Sequence, residues 1–155
     1  MRTRISTTVV SIAAMAAVLA TARPAPAADV SRDAPSVTHG YAVTVYTTNV
    51  SGAGTDANVR VYFFGDRGKS GQVVLDKSGY NDFEAGREDN YRLTLPDLGN
   101  IKSVCLWRDD AGLGDEWNVS HVVAGIEGDP RVATAAFNGW MPAFKWICRP
   151  ARYNF

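Results

Sequence analysis

From Gly40 onward the chain alternates apolar and polar residues with a period of two, the spacing that sends every second side chain to one face of an extended strand. Tyr41, Val43 and Val45 share one phase, and Ala42, Thr44 and Tyr46 the other. A second run, Asn58 to Phe64, keeps Val59, Val61 and Phe63 in phase. Six more runs follow: Gln72–Leu75, Tyr91–Leu95, Ile101–Arg108, Trp117–Ala124, Val132–Phe137 and Phe144–Cys148. Pro96, which cannot donate to a strand ladder, closes the run before it. No stretch of this region sustains a 3.6-residue period. Short strands at near-regular spacing, separated by glycine-rich turns, predict an all-β, antiparallel β-sandwich. Tyr62-Phe63-Phe64 is apolar in both phases, which predicts a central strand covered on both faces.

The start of the chain is patterned differently. Met1 to Arg4 is basic, Ile5 to Ala20 is apolar or small without a charge, and the stretch to Ala28 is rich in alanine and proline. That is the layout of a secretory signal peptide, predicted over residues 1–27 with Ala25-Pro26-Ala27 as the favoured cleavage motif. The alternative is a membrane anchor. Against it, the run is shorter than the ~20 apolar residues of a span, and prolines follow directly. The alanine-rich composition suggests a bacterial, Sec-type signal and a secreted product. Residues 28–39 are rich in Asp, Ser, Pro and Arg and are predicted to be a disordered lead-in, with one folded, monomeric domain over 40–155.

Removing the signal changes the electrostatics. The whole chain has 16 basic and 16 acidic residues, and Arg2, Arg4 and Arg23 leave while no acid does. The remaining excess of acid argues against nucleic acid as a partner and against simple attraction to anionic lipid. Two cysteines remain, Cys105 and Cys148. In an exported protein an even count suggests a disulfide; two buried free thiols are the alternative. Closing so long a loop is worth roughly 4 kcal/mol at most. No GxSxG nucleophile elbow is present, and of the two histidines His39 falls in the lead-in and His121 in a strand, so no enzymatic activity is expected.

Oxygen-bearing side chains concentrate in three loops. The first holds Gly54, Thr55 and Asp56; the second Asp76, Asn81, Asp82 and Glu84; the third Asp109 and Asp110. Calcium takes six to eight hard oxygen ligands in flexible geometry, so loops gathered at one end of a sandwich could supply a site. The spacing is not that of an EF-hand, and solvated acidic turns are the competing reading.

The order of several short motifs resembles the PLAT (lipoxygenase-homology) family, whose modules occur in lipoxygenases, lipases, polycystins and clostridial alpha-toxins. Gly52-Ala53-Gly54-Thr55-Asp56-Ala57-Asn58-Val59 after the first strand is similar to its opening signature. Phe64 to Gly71, Asp82 to Asp89, Leu98-Gly99-Asn100-Ile101, Leu106 to Gly112 and Trp117 continue the series in order. The tail departs, because Phe137-Asn138-Gly139-Trp140 and Trp146-Ile147-Cys148-Arg149 each match only part of the closing strand. The resemblance implies an eight-stranded sandwich of two four-stranded sheets, with apical loops that in several members hold calcium and touch lipid. By position it implies as ligands Gly54, Thr55, Asp56, Asp76, Asn81, Asp82, Glu84, Asp110 and, as a further candidate, Asp109. Tyr80 and Leu113, apolar residues at polar loop tips, are the expected lipid contacts. The expected function is a secreted binding module for a lipid or membrane surface, assisted by calcium; a protein- or glycan-binding module, with calcium structural or absent, is the second reading.

Overall fold

The computed structural model describes residues 37–112 and 116–154. The signal segment 1–27, most of the lead-in and Leu113 lie outside the described residues. Eight strands follow one another in chain order: β1 (Thr38–Thr47), β2 (Val59–Gly65), β3 (Lys69–Leu75), β4 (Glu88–Pro96), β5 (Ile101–Arg108), β6 (Trp117–Ile126), β7 (Ala133–Met141) and β8 (Ile147–Tyr153). β1 therefore starts at Thr38, inside the segment expected to be a lead-in up to residue 39. The extension has a partner: Thr38 and His39 pair with Pro96 and Leu95 at the end of β4.

Every pairing is antiparallel. One sheet runs β4-β1-β6-β7 and the other β3-β2-β5-β8. β8 belongs to both, because Ile147–Pro150 pair with β5 while Ala151–Tyr153 pair with β7. Pro150 marks the handover, where a residue without an N–H costs least. The ladder is thus continuous from β3 to β4. Cys105 and Cys148 sit directly opposite each other in the β5–β8 register and form a disulfide that closes a loop of sequence separation 43.

The alternating phase read from the sequence is the buried phase. Tyr41, Val43 and Val45 of β1, Val59, Val61 and Phe63 of β2, and Val104 and Leu106 of β5 fill the space between the sheets. Each full burial of such a side chain contributes about 2 kcal/mol. In β6 the phase slips: Val119 and Val122 are both buried because the ladder to β1 shifts register between Tyr46 and Thr47, which pair with His121 and Val119 and leave Ser120 as an extra residue. Trp117 is fully buried and gives its indole N–H to Thr47 Oγ1 at 3.1 Å. His121 stacks on Tyr46 with ring centroids 4.1 Å apart, as a sheet residue whose partial burial lowers its pKa.

β2 departs from expectation. Tyr62 is only half-buried and Phe64 is 42% exposed, so the outer face of this strand is open. The second apolar phase of β2 instead joins an aromatic cluster on the surface, with Tyr62 beside Phe64 (4.6 Å) and Trp146 (6.3 Å).

Candidate functional site

The connections β1–β2, β3–β4, β5–β6 and β7–β8 meet at one end of the sandwich, held by backbone hydrogen bonds. Thr55 N donates to Phe83 O at 3.2 Å, Asp109 N to Asn58 O at 3.2 Å, and Phe144 N to Arg108 O at 2.7 Å. Gly112, with φ +100°, lies so close to the first loop that an added Cβ would stand 2.5 Å from that of Asp56. Only glycine meets both demands there. The loops expected to carry oxygen ligands therefore do converge.

Between the first two loops lies an open cleft of about 430 Å³, lined by Thr55, Asp56, Asp76, Tyr80, Asn81 and Asp82, among others. Asp56, Asp76 and Asn81 are exposed there, whereas Thr55 is buried and its hydroxyl accepts the Ala57 N–H at 3.2 Å. Gly54, Glu84, Asp109 and Asp110 do not line this cleft. Gly54 instead lets the first loop press against the Phe83 carbonyl, 3.1 Å from where a Cβ would be. Asn81 donates its amide to Glu84 Oε1. Asp110 is exposed.

Two of the expected ligands serve the protein itself. Asp109 staples the third loop to the first: it accepts from Asn58 N (2.8 Å), Asn58 Nδ2 (2.6 Å) and Ala111 N (3.1 Å). Burial pushes its pKa up, but these hydrogen bonds outweigh it and hold the carboxyl below the usual range. Asp82, which sequence placed among the ligands, is buried and accepts the Lys77 N–H at 2.8 Å. Its other oxygen lies 3.0 Å from Lys77 Nζ, an ion pair that falls outside hydrogen-bond geometry.

Lys77 is the residue that sequence reasoning missed. Its ammonium reaches Asp82, Asp89 at 2.8 Å, and the faces of Tyr80 at 3.9 Å and Tyr91 at 5.2 Å. Burial disfavours its charge, yet the hydrogen bond to Asp89 and the ion pair with Asp82 prevail and raise its pKa. Desolvation, followed by the neighbouring Asp82, pushes the Tyr91 phenol far up, so it stays neutral. Asp89 also accepts the Phe83 N–H at 2.8 Å, which helps hold Phe83 at φ 60°. Tyr80 is 45% exposed but leans on this ammonium instead of standing free at the loop tip.

A second omission is Phe144, which is 63% exposed at φ 57° in the β7–β8 turn. It packs edge-on against Trp107 at 6.2 Å, and Trp107 in turn neighbours Trp146 and carries the Arg60 guanidinium over its ring at 5.0 Å. Its bond to Arg108 places this aromatic surface beside the third loop. A signal existed in the sequence, but a lone aromatic after Met141-Pro142-Ala143 reads equally as the start of a strand.

As a donor set for calcium, the cleft offers two open carboxylates, an amide and backbone oxygens, all hard oxygen ligands. Among the described residues no three carboxylate, histidine or cysteine groups converge as a preformed cage. These donors are of the kind calcium takes, without a preformed cage.

An antiparallel sandwich with four connections gathered over an acidic cleft is a C2-like binding architecture. Residues 41–145 match the PLAT/LH2 domain, and the chain belongs to that family. It is 37% identical over 101 residues to human lipoxygenase homology domain-containing protein 1, covering 65% of this chain and 5% of that protein. It is 33% identical over 112 residues to the allene oxide synthase-lipoxygenase protein of Plexaura homomalla, covering 70% of this chain and 10% of that one. Among solved structures, a coral 8R-lipoxygenase described by calcium activation through a C2-like domain superposes with TM-score 0.66 at 30% identity, over 72% of this chain and 17% of that one. The chain thus spans a small fraction of the length of the relatives it matches.

Proposed function

We propose that this chain is an exported, non-catalytic binding module that engages a lipid surface through its apical loops, with calcium in the cleft beside Asp56 and Asp76. The observation that carries this reading is the pairing of that open acidic cleft with an exposed aromatic surface at the same end of the sandwich. Lys77 already pairs with both Asp82 and Asp89, so the second loop is ordered by its own cation. Asp56, Asp76 and Asn81 are left facing solvent, where calcium would neutralise the carboxylates and bridge them to lipid phosphate. Phe144, held beside the third loop, would enter the interface. The coral lipoxygenase, with its calcium activation through a C2-like domain, supports the same assignment. The exposed face around Tyr62 and Phe64 favours a second reading, docking of an extracellular protein on the sheet formed by β2 and β5.

Sedimentation with phosphatidylserine–phosphatidylcholine vesicles tests the proposal. The protein is expected to pellet in millimolar calcium and to be released by chelator. D56N/D76N should lose the calcium response, and Phe144→Ser should weaken pelleting about tenfold. Failure to pellet in either condition rejects lipid binding and leaves the protein-docking reading.

A further inference from the structure

At the opposite end of the sandwich the β2–β3, β4–β5 and β6–β7 turns enclose a second cleft of about 440 Å³, within the range of small-ligand sites. Two tyrosine hydroxyls line it. Tyr41, only 1% exposed, accepts the Leu98 N–H at 3.1 Å, and Tyr153 accepts the Ile101 N–H at 2.7 Å. A hydroxyl has one proton to give besides the lone pairs it accepts with. Those bonds use lone pairs, so each proton remains available, and among the described residues neither finds an acceptor.

The walls are fixed pairs of opposite charge. Arg67 Nη1 donates to Asp97 at 3.0 Å, and Arg131 meets Asp129 through Nε at 3.1 Å and Nη2 at 2.7 Å. Asp66 accepts two bonds of 2.9 Å from Asn100 and lies 3.6 Å from Lys102. Bonds from the Arg131 side chain and backbone hold the Asp129 carboxyl down at about 2, so it stays ionised. Gly99, at φ +61°, lets its turn approach Asp66 where any Cβ would collide.

These features select a ligand class. Three lining carboxylates, Asp66, Asp97 and Asp129, meet two lining guanidiniums, Arg67 and Arg131, and Lys102 reaches Asp66 from outside the lining, so each carboxylate already has a cationic partner and the cleft has little charge to offer an ion. Its polar lining is a poor match for a purely apolar ligand. Each ion pair presents spare N–H donors beside spare carboxylate lone pairs, the combination that grips neighbouring hydroxyl groups. Ile126 and the Tyr153 ring supply an apolar surface for C–H groups. We infer that this cleft binds an uncharged polyhydroxyl ligand, a neutral sugar or the end of a neutral oligosaccharide. The site is separate from the apical loops and does not depend on their function.

Amide chemical shifts of the full exported chain, titrated with cellohexaose, chitohexaose and mannohexaose, test this, with hexagalacturonate as the charged comparator. At least one neutral sugar is expected to give saturable shifts centred on His39, Asn100, Arg131 and Tyr153. Arg131→Gln, a change at a largely exposed side chain, should weaken that binding about tenfold, and D56N/D76N should leave it unchanged. The inference is overturned if none of the three neutral sugars gives saturable shifts, if the shifts map elsewhere, or if hexagalacturonate binds more tightly in a salt-dependent way.

Discussion

A single ammonium organises the second apical loop. Lys77 gathers Asp82, Asp89, Tyr80 and Tyr91 around one positive charge, and Asp89 is 1% exposed. Removing one partner from a buried ion pair leaves the other charge desolvated and uncompensated, a change that destabilises by several kcal/mol. Lys77→Met is therefore expected to lower unfolding stability by about 3 kcal/mol, read as a shift in urea midpoint, whereas Lys69→Met, at the exposed far end of β3, should be close to neutral. Equal midpoints for the two variants would show that the cluster is only a surface arrangement. Nothing in the local sequence singles out Lys77, between Asp76 and Ser78. Its partner Asp89 lies twelve positions on, and only the folded loop closes that distance. Asp82 and Asp109 show the converse: their residue type suggested metal ligands, but nearby backbone N–H groups and the Lys77 ammonium claim their oxygens.

Among the elements, β8 is the one whose extent differs most from the pattern. The apolar run Phe144 to Cys148 suggested a strand, yet β8 begins at Ile147 and continues through the polar Arg149 and Arg152 to Tyr153. Phe144 and Trp146 are apolar because they cover Trp107 and Tyr62, not because they lie in the ladder. Bridging two sheets gives β8 few consecutive partners in either, and the disulfide fixes it to β5. Loop-closure entropy puts that cross-link at roughly 4 kcal/mol as an upper value. Cys105→Ser/Cys148→Ser is expected to lose about 2–4 kcal/mol in urea denaturation, and added reductant should have the same effect on the parent and none on the variant. The register slip at Ser120 was equally hidden, since Val119 and Val122 break the period of two without any local cue such as glycine or proline.

At the scale of the molecule, antiparallel connection sorts the loops into two ends with different chemistry. One end carries open carboxylates beside aromatic surface, and the other a charge-balanced polar cleft. A ligand that binds only the folded state raises its stability by mass action. With an affinity near 10⁻³ M, in the range of extracellular calcium modules, 10 mM calcium would add about 1.4 kcal/mol, or roughly 4 °C in Tm. D56N/D76N should abolish that shift and magnesium should not reproduce it; identical melts with calcium and chelator would remove calcium from the apical cleft. The sequence by itself determined the all-β class, the eight strands in order and the face shared by the apolar residues of β1 and of β2, because side-chain alternation and turn composition are local; that Cys105 and Cys148 bond to each other was decided by the structure. Tertiary structure alone decided which carboxylates stay open at the apical cleft, how Lys77 orders its loop, where β8 changes sheets, and that Tyr41 and Tyr153 meet in one cleft, because each depends on contacts between residues far apart in the chain.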